Sequence, residues 1–282
     1  MRIPLFSSLS VLSALILLPG IASAHQPRLV ESRETEVIAP EVSKAYYGTL
    51  TGEPDVYHFT ATEPFPLYVG VLVPDRAGQK KDVSAVVLRD GEEIVLLQGI
   101  GFEWKQFDEP FGNDTYWKGP EYKAEGAPGS YEIRVWSSNN DSAYALAVGE
   151  AEIFDSKETW NALTLIPILK RDFFQKSPID FIFSPFGAGL IIVMYALAVI
   201  FGFSYRALLK RFARGTVRGV EQNIGKPDRL LRFSLGVGLL PLAITTTWSP
   251  LLLFFSGFCF FEAAFSWCGF YAALGRSTCP IE

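Results

Sequence analysis

Residues 102–122 combine seven aromatic side chains with acidic and amide groups in one turn-rich stretch. Five rings are expected to meet a ligand: Trp104, Phe107, Phe111, Tyr116 and Trp117. Flat rings bury area at little entropic cost, and neighbouring acids and amides bond polar partners, which is typical of sugar or protein recognition. The alternative is a long loop whose rings plug one end of a β-domain.

A second candidate is a lone carboxylate, Glu262, in the otherwise uncharged stretch 233–275. Cys259, Glu262 and Ser266 have the three-four spacing that places side chains on one helix face. A carboxylate inside a bilayer costs a few kcal/mol unless it is paired, neutral or hydrated. We expect this polar stripe to face another helix or a subunit, with a protonated Glu262 bonding across helices. Proton or ion coupling in a small transport component is the alternative.

Metal and redox chemistry has few candidate residues. If His25 were the mature N-terminus, it would offer an amine and an imidazole to copper, and His58 could add a third nitrogen. An unstructured terminus and an ordinary strand histidine are the alternative. Redox chemistry at Cys268 and Cys279 is a further alternative to simple packing. The sequence has no zinc-ligand spacing, Gly-rich phosphate loop, Gly-x-Ser-x-Gly or Cys-x-x-Cys, so we expect no enzyme and no cofactor.

The elements that would position the aromatic cluster are short strands. Residues 25–150 alternate in period two between turn residues, with about seven candidate strands. This pattern predicts an all-β antiparallel sandwich, jelly-roll-like in form. The segment contains no cysteine, so no disulfide can stabilise it.

The ends of that domain carry targeting and interfacial signals. Residues 1–24 have a basic start, an apolar run and Ala22-Ser23-Ala24, which predicts a cleaved signal peptide rather than a retained anchor. Within 151–183, Ser156–Lys176 forms an amphipathic pattern capped by Ser156. This juxtamembrane helix either lies on the membrane interface or packs beneath the sandwich.

Charge and hydropathy predict three membrane spans after this helix. The first covers 184–205, and a two-helix module covers 230–274. The loop 206–229 between them is strongly basic, which keeps it cytoplasmic and leaves the tail 275–282 on the same side. The whole chain has a formal net charge of −5, which argues against a nucleic-acid partner.

Two sequence patterns of the exported segment resemble a known domain family. The run from Tyr47 to Phe59 is similar to the opening of bacterial pre-peptidase C-terminal jelly-roll domains. Gly129–Val135 followed by Tyr144–Leu146 is similar to their closing strands. The resemblance implies an accessory or binding module rather than a catalyst.

The C-terminal quarter, about 216–282, resembles the YgaP-like inner-membrane domain family. The residues that carry the resemblance are Asn223, Gly225, Asp228, Arg229, Arg232, Cys268, Tyr271, Gly275, Thr278 and Cys279. Gly269 stands where that family usually has proline, and Glu262 lies inside the last span. The sulfurtransferase domain joined to this module in YgaP has no counterpart here, so the resemblance implies two spans and no sulfur transfer.

These observations predict a non-enzymatic protein of the bacterial cytoplasmic membrane, with its N-terminal domain outside and its C-terminus inside. The outer β-sandwich is expected to bind a periplasmic protein or a glycan. We also expect the transmembrane helices to contact the lipid bilayer and to allow copies of the chain to form an oligomer.

Overall fold

The computed structural model describes residues 25–153, 155–212 and 222–279. The chain divides into two compact units between Asp180 and Phe181. The predicted signal peptide lies outside the described residues, as does the part of the basic loop at 213–221.

The first unit is β-rich and ends in one helix. Its described strands are β1 Gln26–Leu29, β2 Glu34–Glu36, β3 Lys44–Thr49, β4 Asp55–Ala61, β5 Phe65–Pro74, β6 Ser84–Arg89, β7 Glu92–Leu97, β8 Lys105–Glu109, β9 Asp114–Gly126, β10 Gly129–Trp136 and β11 Ala143–Val148. They form a six-stranded sheet, ordered β1-β3-β11-β5-β9-β8, and a five-stranded sheet, ordered β2-β4-β10-β6-β7. Side chains from both sheets, such as Val71, Leu146 and Ile133, pack into one core between them. The unit is therefore sandwich-like.

Both sheets are mixed, so the expectation of a purely antiparallel sandwich is wrong. β1 pairs with β3 in parallel, and β2 pairs with β4 in parallel. These two strands have four and three residues, and each occupies a sheet edge. Segments this short have too little period-two alternation for sequence detection. The remaining pairs are antiparallel, including β6–β7, which turns at Asp90-Gly91 with positive φ at both residues.

The aromatic stretch 102–122 is not a long loop, as one alternative held. It forms the β8–β9 hairpin, in which Lys105 pairs with Lys118 and Glu109 with Asp114. β9 also pairs with β5, with an irregularity in register opposite Gly70 to Leu72. Gly119-Pro120 at that irregularity interrupts the period-two pattern, which accounts for the turn-rich appearance of the sequence.

A helix covers part of the outer face of the six-stranded sheet. Helix α1, Ser156–Ile168, continues into a π-helical turn, Leu169–Phe173. Asp155, one residue before the predicted cap, accepts a hydrogen bond from the Glu158 N–H at 2.8 Å. Leu169 and Phe173 pack on Tyr116 and Ala145 of the sheet. Of the two predicted locations for this helix, the structure shows packing on the sandwich.

The second unit is helical. It contains the 3-10 turn Pro178–Phe183 and helices α2 Pro185–Phe212, α3 Lys226–Thr246, α4 Pro250–Phe265 and α5 Gly269–Ala273. Helices α2 and α3 are long and apolar enough to cross a bilayer, with mean hydropathies of 2.4 and 1.2. Helix α4 is apolar but has only 16 residues.

Candidate functional site

The predicted aromatic cluster is divided between the two faces of the six-stranded sheet. Trp104 is 9% exposed in the sandwich core, where its indole N–H donates to the Gly99 carbonyl at 3.0 Å. Trp117 packs partly against the same core, and its N–H donates to Asp75 at 3.0 Å. The prediction that all five rings meet one ligand is therefore wrong for Trp104 and Trp117, because neighbouring strand residues face opposite sides of a sheet.

The other three predicted rings, those of Phe107, Phe111 and Tyr116, line a groove on the outer face of the sheet. The groove has a volume of about 420 Å³, within the range of small-ligand sites. Its floor is formed by β3, β11, β5 and β9, and one wall is formed by α1 and the π-helical turn. It lies entirely within the β-rich unit.

Small side chains leave the space for this groove. Ala45, Gly70 and Ala145 lie on its floor in neighbouring strands, where larger residues would fill it. At Gly70 a Cβ atom would come within 2.9 Å of the Tyr68 hydroxyl oxygen. The groove therefore depends on residues with little sequence signal of their own.

One end of the groove is built around a buried lysine. The Lys170 ammonium is 1% exposed and donates to the Gly112 carbonyl at 2.6 Å and to Asp114 at 2.8 Å. Lys176 lies 3.4 Å from the same carboxylate. Burial raises the pKa of Asp114, against the opposing effect of Lys170. This cluster fastens the π-helical turn to the β8–β9 turn.

Glu109 lies beside that cluster and organises the turn. Its two carboxylate oxygens accept the backbone N–H groups of Phe111 and Gly112, both at 2.7 Å. Burial raises the pKa of Glu109, and the two backbone donors oppose the rise. The carboxyl is thus partly desolvated at the groove wall.

Two tyrosines meet in the middle of the groove. The hydroxyls of Tyr47 and Tyr116 are 2.9 Å apart, so one donates to the other. Burial raises the pKa of both phenols, which keeps them neutral. Phe173 and Phe174 pack edge-on against these two rings, with centroids 5.0 Å apart in each pair.

Towards the other ends of the same strands the groove is lined by hydrogen-bonding groups. The Tyr68 hydroxyl donates to Glu121 at 2.8 Å, and Glu121 pairs with Lys118 at 2.9 Å. The His25 Nδ1 and Ser43 Oγ atoms are 2.5 Å apart. Burial lowers the pKa of His25, which favours a neutral imidazole.

The structure separates the two copper candidates. His25 precedes β1 in the six-stranded sheet, whereas His58 lies exposed on β4 in the five-stranded sheet. The nearest acid to His58 is Glu132, at 3.9 Å. Within the described ranges, no group of three or more His, Cys, Asp or Glu side chains is placed to hold a metal ion.

The C-terminal motif residues converge on one hydrogen-bonded cluster in the helical unit. Asn223, fully buried, donates to the Cys268 carbonyl at 2.9 Å and accepts the Cys268 N–H at 2.7 Å. The Asn223 carbonyl accepts the Thr278 N–H at 3.0 Å. The Thr278 hydroxyl accepts from the Gly225 N–H at 3.2 Å and donates to Asp228. These contacts join the start of α3, the end of α4 and the C-terminal segment.

Arg232 and Glu262 complete this cluster. The Arg232 Nε donates to Glu262 at 3.0 Å, and the second carboxylate oxygen accepts the Gly269 N–H at 3.2 Å. The guanidinium lies 5.2 Å from the ring centre of Tyr271. Arg229 donates to the Ala263 carbonyl at 2.9 Å.

The predicted polar stripe is wrong in one member. Helix α4 ends at Phe265, and Ser266 adopts a left-handed conformation with φ of 52°, so it leaves the helix face. Glu262 bonds across helices as expected, but its partner is a cation, Arg232. Cys259 is half-buried, and the three described cysteines, including Cys279, are unbonded to one another.

The apolar helices and the two packed sheets fit a membrane protein with a β-sandwich-like domain. Residues 220–282 match the family described as "Inner membrane protein YgaP-like, transmembrane domain", which confirms the C-terminal resemblance. Together with the apolar helices α2 and α3, this match indicates a membrane protein. None of the curated proteins compared with the sequence is similar to it.

Several solved structures resemble the chain weakly. The pre-peptidase C-terminal domain of collagenase from Bacillus anthracis has 14% identity, covers 45% of this chain and 95% of its own, and has a TM-score of 0.26. CorA, a surface-associated copper-binding protein of Methylomicrobium album BG8, has 10% identity and a TM-score of 0.23, and the match covers 43% of this chain and 98% of CorA. A β-glucosidase from Paenibacillus barengoltzii has 12% identity and a TM-score of 0.23, and the match covers 44% of this chain and 13% of the glucosidase.

Several site residues were not predicted from sequence. Tyr47 and Tyr68 look like ordinary strand residues, and only the folded sheet brings them to the groove. Lys170 did carry a signal, because it falls on the apolar face of the α1 pattern, beside Ile166 and Phe173. A lysine in such a position needs a buried acidic partner.

Proposed function

We propose that this protein is a non-enzymatic, membrane-anchored binding protein. Its jelly-roll-like domain lies outside the cytoplasm and binds a partner protein or a glycan in the groove beside α1. The observation that carries the proposal is the groove itself, a concave site of about 420 Å³ lined by Phe107, Phe111, Tyr116 and neighbouring polar groups. Concave apolar sites with a few convergent polar groups are typical of ligand binding.

The proposed membrane is the bacterial cytoplasmic membrane, crossed three times. Export of the β-rich unit depends on a signal peptide at 1–24, and α4 supplies the third span. The 16 residues of α4 extend ~24 Å, so the third crossing also needs the residues after Phe265. Arg206, Lys210 and Arg211 at the end of α2 support a cytoplasmic loop, since basic residues are retained on that side.

Thiol labelling in spheroplasts tests this orientation. In a variant without the three native cysteines, Glu31→Cys and Ser277→Cys are introduced separately, both at exposed positions. A membrane-impermeant maleimide is expected to label the first variant in intact spheroplasts and the second only after their lysis. Labelling of Ser277→Cys in intact spheroplasts would place the C-terminus outside.

A pair of phenylalanine variants tests the groove. Phe107 is 40% exposed and lines the groove, whereas Phe102 is 43% exposed and lies outside its lining. Phe107→Ala is expected to weaken binding of glycans, or cross-linking to periplasmic proteins, and Phe102→Ala to leave both unchanged. Equal binding by wild type and Phe107→Ala would exclude the groove as the site.

A further inference from the structure

The charged groups that line the groove already have partners. Three ion pairs involve them: Lys118–Glu121 at 2.9 Å, Lys123–Glu150 at 2.7 Å and Lys170–Asp114 at 2.8 Å. The remaining lining carboxylate, Glu109, accepts two backbone N–H groups. A charged ligand would therefore compete with existing partners for its counter-charge.

The remaining polar lining groups are uncharged. The hydroxyls of Tyr47, Tyr68 and Tyr116 and the neutral imidazole of His25 each take part in one hydrogen bond already. Each keeps a further donor or acceptor position that can bond a ligand hydroxyl without separating charges. The exposed ring of Phe107 offers a flat apolar face. A ligand that suits both features has many hydroxyls and apolar C–H faces, which is the chemistry of a sugar ring.

The sheet geometry disfavours an extended peptide. The floor strands β3, β11, β5 and β9 are interior strands, each paired on both sides. Their backbone N–H and C=O groups are consumed by the sheet, so a peptide lying on this floor cannot add as a further strand. Its own backbone groups would enter the groove without regular partners, whereas a glycan has no peptide backbone to satisfy.

We propose that the groove binds an uncharged glycan, an inference that rests on the proposed ligand-binding function. Tyr68, His25 and the Tyr47–Tyr116 pair bond its hydroxyls, and Phe107 stacks on a sugar face.

The test measures binding of three trisaccharides of equal length to the full-length chain in a polyoxyethylene detergent, which carries no sugar. Chitotriose is neutral, its fully deacetylated form is cationic, and trigalacturonate is anionic. An array of further neutral glycans covers other sugars. Wild type is expected to bind neutral members, with affinity changing less than about twofold between low and high salt, since screening acts on charges. Phe107→Ala is expected to weaken binding about tenfold, and Phe102→Ala not at all.

The outcomes separate this inference from the proposed function. Binding confined to the cationic or anionic trisaccharide would overturn the uncharged class and leave the groove as a ligand site. Binding of a periplasmic protein but of no glycan, sensitive to Phe107→Ala, would overturn the glycan and keep the proposed function. Glycan binding that Phe107→Ala does not weaken would overturn the inference, and failure to bind either class at the groove would overturn both.

Discussion

At the residue scale, hydrogen bonds account for several residues of the C-terminal motif. Asn223 satisfies both backbone groups of Cys268, at the point where the chain leaves α4. Gly225 permits close approach, since a Cβ there would come within 2.6 Å of the Thr278 carbonyl. Each such residue is required by a contact with a distant part of the module. The motif therefore specifies how the ends of α3 and α4 are joined.

The ion pair in this cluster makes a prediction for stability. Arg232→Leu is expected to lower the free energy of unfolding by about 3–5 kcal/mol, because it leaves Glu262 buried without a cation. Glu262→Leu should cost less, because Arg232 keeps Asp228 at 3.6 Å. The double variant Arg232→Leu/Glu262→Leu should lose less than the sum of the two single variants. The free energies of unfolding for this double-mutant cycle are measured in mixed micelles, with Arg276→Leu at an exposed position as a control. Additive losses would mean that the two groups do not interact.

Asp55 is a buried carboxyl in the sandwich, at the end of a hydrogen-bonded chain of two tyrosine hydroxyls. It accepts from the Tyr144 hydroxyl at 2.6 Å, and the Tyr144 oxygen lies 2.6 Å from that of Tyr57. Burial raises the pKa of Asp55, and the bond from Tyr144 opposes the rise. The folded state therefore binds the Asp55 proton more tightly than the unfolded state does.

This shift predicts a pH dependence of stability. Below an unfolded pKa of about 4 the contribution of Asp55 is fully present, and it is lost as pH rises through the raised folded pKa. Thermal unfolding of the full-length chain between pH 4 and 8 should show a shallower decline for Asp55→Asn than for wild type. The pKa values of Glu109 and Asp114 are also raised. Both residues are present in both proteins, so their contributions cancel in the comparison. Parallel declines would assign the dependence to other groups.

At the scale of elements, α1 and its π-helical turn form one wall of the groove, and Lys170 holds them in place. Lys170→Met is expected to destabilise this region by about 3–5 kcal/mol, because Asp114 keeps only the longer contact to Lys176. Hydrogen exchange of α1 in the full-length chain should accelerate, while exchange of β10 stays slow. Lys157→Met, an exposed position on the same helix, is the control. Unchanged exchange in α1 would show that packing alone holds the helix.

The same elements show what the sequence could and could not predict. The period-two pattern predicts strands at Tyr131–Val135 and Ala143–Val148, and β10 and β11 agree with these bounds within two residues at each end. β9 was missed because Gly119-Pro120 breaks its alternation. Phe107, Phe111 and Tyr116 were found by composition, but their separation from Trp104 depends on strand register. The groove also needs α1, whose position on the sheet no local pattern specifies.

At the scale of the molecule, composition separates the parts of the chain. Residues 25–180 contain 26 of the 30 acidic residues and no cysteine, whereas residues 206–282 have nine basic and four acidic side chains. The two structural units divide the chain similarly, with their boundary in the sequence between Asp180 and Phe181. The outer face of the six-stranded sheet needs α1 as its cover, so the β-rich unit extends beyond the strands themselves.

This boundary predicts how fragments behave. A fragment of residues 25–180 is expected to fold without detergent, since its core and the packing of Phe173 and Phe174 on Tyr116 lie within it. A fragment of residues 25–150 exposes Tyr47, Leu72 and Tyr116, an apolar patch that favours aggregation. Circular dichroism and light scattering compare the two, and reductant should change neither, because neither contains cysteine. Equal stability and solubility of the two fragments would show that α1 is an accessory to the sandwich rather than part of it.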